Sequence, residues 1–571
     1  MATPESLAAP IGLELSARKA LLKDAVSFPA MLATLLVAAV FVSLRSFTVD
    51  PDVWWHIKVG ATILSTQHWP TSDPYSFTAP GTPWIAYEWL GEVLLAALQH
   101  AAGLRGLLAF DFAVGVAVLL ALYALASLRC GNSKAAFVAT AVLLPLASVS
   151  FSVRPQMLGY LFLILTLIIL ERFRQGRTST LWLLPLLFLV WVNTHGTFFV
   201  GLFVLAVYWL GGMVRVQWGS LQSKPCTSGE RLRLALVVLL SLIALTATPY
   251  GVRLAAYPLD MAFSQPVNVA NVEEWQSMPF NMLGGKLFLA LVVVFILAQV
   301  ATRANWRLEE LVLYLAAVVM SCLHARFLLL FVPLCAPMLA VILARWIPHY
   351  QRSIDHFVLN AVLMFLAVAG IVWFFPSQSQ LEDLVAGQFP AKAVDYLRQH
   401  PVPGRMYNNY GYGGYLIWAL DGQHKVFIDG RGDVYERAGV FSDYLAISRL
   451  APNALLLLRA YDIQACLIER DEPLGTLLAA LPDWQEVYHD KLSAIFVRKS
   501  GAQAPGDGGG AMTSLTHYIQ PVRPRPVCHF ERRRALPAIT LKANGRRRER
   551  SRSVLCRRTS VFAISYHVPV A

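Results

Sequence analysis

Charged residues are scarce in this chain of 571 residues. Asp, Glu, Lys and Arg make up 15% of the sequence and hydrophobic residues 56%, whereas charged residues make up about 25% of a typical soluble domain. A water-exposed surface cannot be built from so few charges. The composition therefore excludes a soluble globular protein and predicts a polytopic α-helical membrane protein.

Two further absences narrow the chemistry. The seven cysteines are scattered, with no CxxC and no Cys/His pairing, which excludes a disulfide framework and a structural zinc site. The segment GYGGY does not match a GxGxxG fingerprint, and no other strand–loop–helix phosphate motif occurs in the sequence. The sequence thus gives no sign of a nucleotide-binding domain.

The net charge of +13 is concentrated at the end of the chain. On a soluble protein it would suggest a nucleic-acid partner. Residues 501–571, however, contain thirteen Lys and Arg against three Asp and Glu. Two interpretations of this segment stay open: a disordered basic tail and the product of a shifted reading frame. Because the rest of the chain carries only a small positive excess, we expect no nucleic-acid partner.

Eleven apolar segments are candidates for membrane-spanning helices, which take roughly 17–25 mostly apolar residues. The segment 88–102 is also apolar, but it is short and carries Glu88 and Glu92, so we predict a helix in the membrane interface. The predicted transmembrane domain covers 28–375. Its spans are 28–46, 106–128, 135–151, 155–171, 180–194, 198–214, 233–249, 285–302, 309–323, 326–343 and 357–375.

The distribution of Lys and Arg predicts the orientation of these spans. With residues 1–27 in the cytoplasm, sixteen Lys and Arg lie in cytoplasmic loops and six in outer loops, as the positive-inside rule requires. Residues 376–500 then lie outside the cytoplasm. The helix-like stretch AKAVDYLRQH and the β-like runs KVFID, IQACLIE, WQEVY and SAIFVRK predict a small extracytoplasmic α/β domain there.

The long outer loop 47–105 starts with an acidic motif. Asp50 and Asp52 flank a proline, and His56 lies one helical turn after Asp52 if VWWHIKVGATIL is a helix. We predict that this helix and a second one, starting at Glu88, lie in the membrane interface. Asp52 could also be an ordinary helix N-cap, and the tryptophans next to it could belong to an aromatic belt.

Three predicted hairpins bring polar residues to the same outer face. Arg154 lies in the turn VRPQ, Asn193 and His195 lie in VNTHG, and His324 and Arg326 lie in HAR. The planar arginine fork suits a phosphate. These cations could instead bind lipid headgroups or cap backbone carbonyls.

An outward carboxylate near outer-face cations suggests one class of reaction. A lipid-linked phosphate would be the leaving group, and the carboxylate would take the proton of a hydroxyl or amide nucleophile. Arg and His would stabilise the charge on the departing phosphate. The candidate phosphate-binding residues are His56, Arg154, His195, His324 and Arg326. The candidate acceptor or sugar contacts are Glu88, Trp54, Trp55 and Asn193.

The motif Asp50-Pro51-Asp52 and its surroundings resemble a known superfamily. The segments DPDVWWHIKVG, TSDPYSFTAPGTPW and YEWLGEV, with the later YGYGGYLIW and KVFIDGRGDVY, resemble bacterial GT-C-like membrane proteins. The GT-C superfamily of integral-membrane glycosyltransferases includes the protein O-mannosyltransferases and the aminoarabinose transferases. The resemblance covers about 28–500 and implies about eleven to thirteen spans, two interfacial helices in the first outer loop, and a C-terminal extracytoplasmic domain.

The resemblance also implies an activity. A sugar would move from a polyprenyl-phosphate donor to a glycan, lipid or protein acceptor outside a bacterial inner membrane. Asp52 would be the general base, with Asp50 as the alternative. We expect no obligatory metal, although these carboxylates and His56 could ligate a hard divalent cation. A transporter or lipid flippase and a non-catalytic scaffold for envelope glycan assembly remain the alternatives.

Overall fold

The computed structural model describes residues 21–44, 49–149, 151–402, 404–422 and 424–499. The basic segment 501–571, predicted as a tail, and most of the predicted cytoplasmic N-terminus lie outside the described residues. Within them the chain is mostly helical, and a single four-stranded sheet forms near its end.

Helices coincide with all eleven apolar segments. The helices up to residue 374 are α1 Phe28–Leu44, α2 Val53–Thr66, α3 Trp89–Cys130, α4 Ser133–Ser148, α5 Gln156–Arg174, α6 Leu184–Thr194, α7 Phe198–Gly211, α8 Ser228–Ala244, α9 Val252–Ser264, α10 Pro266–Asn271, α11 Leu283–Thr302, α12 Leu308–Leu323, α13 Leu328–Leu343 and α14 Phe357–Phe374. A short hairpin of β1 Val216–Trp218 and β2 Leu221–Ser223 lies between α7 and α8.

Six helices among the described residues are long and apolar enough to cross a membrane. They are Leu21–Leu44, Trp89–Cys130, Gln156–Arg174, Leu283–Thr302, Ala325–Leu343 and Phe357–Phe374. In α14 only Asn360 is buried, and its large apolar side chains lie on the surface, as expected for a helix that faces lipid. The chain is a multi-pass membrane protein. The count of eleven spans and their orientation remain predictions.

The predicted interfacial helix and the second span form one continuous helix, α3, of 42 residues. Its regular geometry is interrupted at Gly103, where φ is 60° and ψ is −148°. A left-handed backbone of this kind favours glycine. The two predicted pieces therefore exist, but they are joined across this glycine rather than separated by a loop.

The segment after α14 builds a mixed sheet covered by short helices. The strands are β3 Arg405–Asn408, β4 Ile463–Glu469, β5 Trp484–His489 and β6 Ser493–Arg498, in the order β3-β4-β6-β5. Only the β3–β4 pair is parallel. The helices are α15 Gln378–Ala386, α16 Ala391–Gln399, α17 Tyr410–Ala419, α18 Gly432–Arg437, α19 Val440–Ser448, α20 Ala454–Ala460 and α21 Pro473–Ala480.

One of the four β-like runs predicted for this segment, KVFID, is not a strand of the sheet: the backbone of Val426 pairs with Tyr75 and Phe77 of the first outer loop, and the Phe427 N–H donates to the Asn408 side chain. The strand beside β4 is β3 instead, which the sequence analysis missed. The Gly- and Tyr-rich YGYGG begins helix α17.

Candidate functional site

Helix α2 starts at the acidic motif of the first outer loop. Asp52 occupies the N-cap position, yet its side chain makes no capping hydrogen bond. Asp50 accepts a hydrogen bond from the Asp52 backbone N–H at 2.9 Å. The ordinary capping interpretation of Asp52 therefore fails, and its carboxylate is free to point elsewhere.

The guanidinium of Arg154 holds three carboxylates. Its Nη2 lies 2.5 Å from Asp52 Oδ2, and its Nη1 lies 3.2 Å from Asp50 Oδ2 and 2.9 Å from Glu274 Oε1. Arg154 comes from the turn before α5, whose Pro155 packs directly against Gly91. Chain segments far apart in sequence thus meet at one side chain. We call Asp50, Asp52, Arg154 and Glu274 the acidic cluster.

A second cation borders this cluster. The Nη1 atom of Arg326 lies 3.6 Å from Glu274 Oε2, and its guanidinium lies 4.9 Å from the ring of Trp275. His324 shares a hydrogen bond of 2.6 Å with the Trp275 carbonyl through Nδ1. Since its one ion pair is long and it is partly exposed, Arg326 is the cation here with the most capacity left for an anion.

Burial raises the pKa of Asp52 to about 7. The positive charge of Arg154 and the indole N–H of Trp55, which donates to Asp52 Oδ1 at 3.1 Å, act against this rise, while the negative charge of Asp50 adds to it. A carboxyl group that changes its protonation near neutral pH suits general acid–base chemistry.

A buried cluster of His and Glu lies behind Asp52. His56 contacts Glu88 at 3.5 Å through Nε2 and Glu92 at 3.2 Å through Nδ1. His195 contacts Glu88 at 3.3 Å through Nε2 and the Thr197 hydroxyl at 3.0 Å through Nδ1. Both nitrogen atoms of each histidine are therefore already engaged by protein groups.

Burial decides the protonation of this cluster. It raises the pKa of Glu88 to about 8 and lowers the pKa values of His56 and His195 well below their usual range. At neutral pH Glu88 is thus a neutral acid between two neutral imidazoles. The two histidines lie beside the acidic cluster as predicted, but they bring no positive charge to a phosphate.

The predicted acceptor or sugar contacts are covered by protein. Trp54 is fully buried among Phe389, Tyr415 and Trp418, so it packs against the C-terminal segment rather than joining an aromatic belt. Trp55 stacks on His56, with ring centroids 3.6 Å apart. The side-chain oxygen of Asn193 accepts a 2.8 Å hydrogen bond from Trp89. Whether any of them contacts a substrate remains a prediction.

Residues after α14 complete the wall around Asp52. A Cβ on Gly430 would overlap Asp52 Oδ1, and a Cβ on Gly414 would lie 2.6 Å from the Pro51 carbonyl. The hydroxyl of Tyr410 donates to the Gly430 carbonyl at 3.1 Å. Gly414 and Gly430 are therefore needed because the backbone passes so close to the acidic motif.

The FIDGRGD segment forms a separate, fully buried ion cluster. Arg431 Nη1 lies 2.8 Å from Asp73 Oδ1, and its Nη2 lies 2.7 Å from Asp429 Oδ2. The guanidinium also lies 4.7 Å from the ring of Trp84, and Tyr435 donates to Asp429 at 2.5 Å. This cluster joins the first outer loop to the C-terminal segment, so these residues have a structural explanation without a sugar.

Two features of the site escaped the sequence analysis. Glu274 is the second of two adjacent glutamates, and nothing local indicated that it would meet Arg154 some 120 residues away. The role of Gly430 was missed as well. Among the described residues no group of three or more His, Cys, Asp and Glu could hold a metal ion, and metal dependence stays a prediction.

Comparisons with known proteins found similar solved structures. The apo oligosaccharyltransferase of Archaeoglobus fulgidus is 12% identical, with a TM-score of 0.46 over 76% of this chain and 69% of that chain. ArnT of Cupriavidus metallidurans, bound to undecaprenyl phosphate, is 17% identical, with a TM-score of 0.45 over 83% and 98%. The mycobacterial arabinofuranosyltransferase AftD is 13% identical, with a TM-score of 0.43 over 81% and 41%.

No protein-family model and no curated protein matches the chain. At 11–17% identity the structural similarities say nothing about substrates, and the chemistry has to be argued from the site itself. The similar solved structures are those of sugar-transferring membrane proteins such as an oligosaccharyltransferase and an arabinofuranosyltransferase, the class of protein that the sequence motifs resemble.

Proposed function

We propose that this protein is a membrane glycosyltransferase. It moves a sugar from a polyprenyl-phosphate donor to an acceptor on the extracytoplasmic side of a bacterial inner membrane, with Asp52 as general base. The observation that carries the proposal is the carboxylate of Asp52, partly exposed, held between Arg154 and Trp55, with a pKa of about 7. Such a group can take a proton at physiological pH and release it afterwards.

The contacts favour Asp52 over Asp50 as the base. Asp50 divides its carboxylate between the Asp52 backbone N–H and Arg154, and the first of these bonds fixes the start of α2. Asp52 makes no bond that the helix itself requires. Its carboxylate can therefore exchange Arg154 for an acceptor proton without loosening the backbone.

The cations are suited to the leaving group. Arg154 is paired with three carboxylates, whereas among the described residues Arg326 has one ion pair, a long one to Glu274. We therefore assign the donor phosphate first to Arg326, with the remaining nitrogen of His324 next to it. Charge building up on the departing phosphate would be stabilised there, while the acceptor hydroxyl or amide would lie on the Asp52 side.

The test measures release of free polyprenyl phosphate by the purified full chain supplied with polyprenyl-phosphate sugars and a crude envelope acceptor fraction. Asp52→Asn should lower turnover by about 10²–10⁴-fold, the range typical of a lost general base. Asp50→Asn should have a smaller effect. Asp421→Asn is the matched control, because this aspartate is exposed and, within the part of the chain that the structure describes, forms an ion pair with Lys58 alone; it should behave as wild type.

The outcomes separate the three function classes. Turnover that is equal in wild type and Asp52→Asn would refute the assignment of the base. No turnover by the wild type with any lipid-linked sugar, together with movement of labelled lipid between leaflets of proteoliposomes, would favour a flippase. Neither activity, with a bound partner retained by both variants, would favour a scaffold.

A further inference from the structure

A large polar cavity lies at the opposite end of helix α5 from the acidic cluster. Its volume is about 720 Å³, within the range of small-molecule sites. Helix α5 starts next to Arg154 and ends at Arg174, which lines the cavity. Its 19 residues span about 28 Å at 1.5 Å per residue, close to the thickness of a membrane core. The cavity therefore lies on the face that the charge distribution predicts to be cytoplasmic.

Positive charge dominates the lining. Five cations line the cavity against two carboxylates: Arg129, Arg174, Arg215, Lys224 and Arg307 face Glu230 and Glu309. Three of the arginines are held by carboxylates, since Arg129 pairs with Glu310, Arg174 with Glu309 and Arg307 with Glu171. These pairs fix the rigid wall of the cavity.

The other two cations, Arg215 and Lys224, lie at the rim of the cavity. Arg215 and Lys224 are exposed, and neither has a carboxylate partner among the described residues. They flank the β1–β2 hairpin, which is fixed in place by backbone hydrogen bonds of 2.8 Å between Gln222 and Trp306 and between Trp306 and Ser220. Their charge is thus positioned over the opening without being neutralised.

Unused polar atoms line the interior. Within the described residues, the buried Ser223 hydroxyl and the Nε of Arg174 have no hydrogen-bond partner. Buried polar groups are normally satisfied, so both side chains keep hydrogen-bonding capacity that no described residue uses. An arginine N–H, a hydroxyl and two rim cations form a donor set that suits the oxygens of a phosphate.

We propose that this cavity binds a phosphate-bearing ligand, either the headgroup of an anionic phospholipid or a soluble phosphate compound. Its place at the ends of spanning helices puts it level with lipid headgroups, where basic pockets between helices recruit anionic lipids. The site is separate from the acidic cluster, so the proposal stands whether or not the protein is a glycosyltransferase.

Native mass spectrometry of the full chain in detergent tests whether the cavity binds a phosphate-bearing ligand. Phosphatidylglycerol and phosphatidylcholine with the same acyl chains are titrated against wild type and Arg215→Ala/Lys224→Ala. Each lost cation should weaken phosphatidylglycerol binding about five-fold, hence roughly thirty-fold for the pair. The control Arg177→Ala/Arg345→Ala removes two exposed cations outside the cavity and should leave binding within about two-fold.

Inorganic pyrophosphate is the second probe. If it binds wild type and displaces phosphatidylglycerol, the ligand is a soluble phosphate; if phosphatidylglycerol binds and is not displaced, the ligand is a lipid. Both results support the site. Equal binding of the probes by wild type and Arg215→Ala/Lys224→Ala overturns the proposal, and so does a wild-type protein that neither prefers phosphatidylglycerol to phosphatidylcholine nor binds pyrophosphate. Thermal unfolding of each variant shows that it is folded.

Discussion

Two arginines near the first outer loop are each held by carboxylates, yet their surroundings differ. Arg431 and its partners Asp73 and Asp429 have no exposed side-chain surface. Arg154 and Asp52, by contrast, keep 16% and 18% of their side-chain surface exposed. One ion cluster is sealed inside the protein, and the other is open to a ligand.

The difference distinguishes an ion cluster that stabilises the fold from an ion cluster that belongs to a functional site. In the sealed cluster every contact is short, an aromatic ring covers the guanidinium, and neither of the two carboxylates that share it has exposed side-chain surface. In the open cluster three carboxylates share one arginine, and one of them has a raised pKa. An excess of carboxylate that water or substrate can reach has a use other than stability.

Breaking the sealed cluster should have the largest effect. Arg431→Leu leaves two carboxylates buried without a partner, which costs about 3–5 kcal/mol of unfolding free energy. The thermal unfolding midpoint and the yield of monodisperse protein should both fall. Arg470→Leu removes a partly exposed arginine paired with Glu486 and should cost under about 1 kcal/mol. An Arg431→Leu variant as stable as wild type would show that the sealed cluster does not hold the fold.

Displacing the Asp52 side chain without removing it should have the second-largest effect. In Gly430→Ala the added methyl group overlaps the Asp52 carboxylate, and displacement of a catalytic group by about 1 Å can cost about a hundred-fold in turnover. Gly387→Ala is the control, because a Cβ there meets neighbours at 3.4 Å and should change turnover by less than about two-fold. Full turnover in Gly430→Ala would mean that the position of Asp52 is unimportant.

Turnover should fall as the pH is lowered below 7. Because the pKa of Asp52 is raised to about 7, the carboxyl gains its proton as the pH falls through 7, and a protonated base cannot accept another. We expect kcat/KM to fall about ten-fold for each pH unit below 7 and to level off above it. A midpoint near pH 4, the usual value for an aspartate, would contradict this.

Removing the hydrogen bond that Trp55 donates to Asp52 should have the smallest effect. Trp55→Phe removes the donor to Asp52 Oδ1, which stabilises the ionised form, so the pKa of Asp52 should rise further. A bond worth about 1 kcal/mol shifts the pH midpoint by less than about one unit. Turnover should fall near pH 7 and recover near pH 9. Trp54→Phe is the control, since this indole N–H has no partner within the described residues; an equal shift there would rule out the hydrogen bond.

The sequence was sufficient for the helices and for the first half of the site. Apolar runs located every long helix because lipid-facing helices must be apolar along their length. Asp52 and Arg154 were both placed at the outer face, since charge distribution and turn positions fix which loops share a side. Their direct contact was not predicted: Arg154 was assigned to a phosphate, and the structure gives its charge to three carboxylates.

The remaining parts of the site and the fold depend on contacts between residues that are far apart in the sequence. Glu274 and Gly430 reach the site only through the packing of the whole chain, and neither stands in a local pattern that marks it. KVFID has the composition of a strand, yet its hydrogen bonds go to the first outer loop and to Asn408. Local propensity could not decide between that partner and the sheet.

The proximity of Gly430 to Asp52 has a consequence for biogenesis. Asp52, the proposed base, lies near the start of the chain and the residue that covers it lies hundreds of positions later, so a growing polypeptide holds an unfinished site throughout its insertion into the membrane. Domains fold largely in the order of synthesis. If the protein is the proposed glycosyltransferase, it stays inert towards its donor until its C-terminal segment has folded, which would protect a costly lipid-linked substrate from an incomplete enzyme.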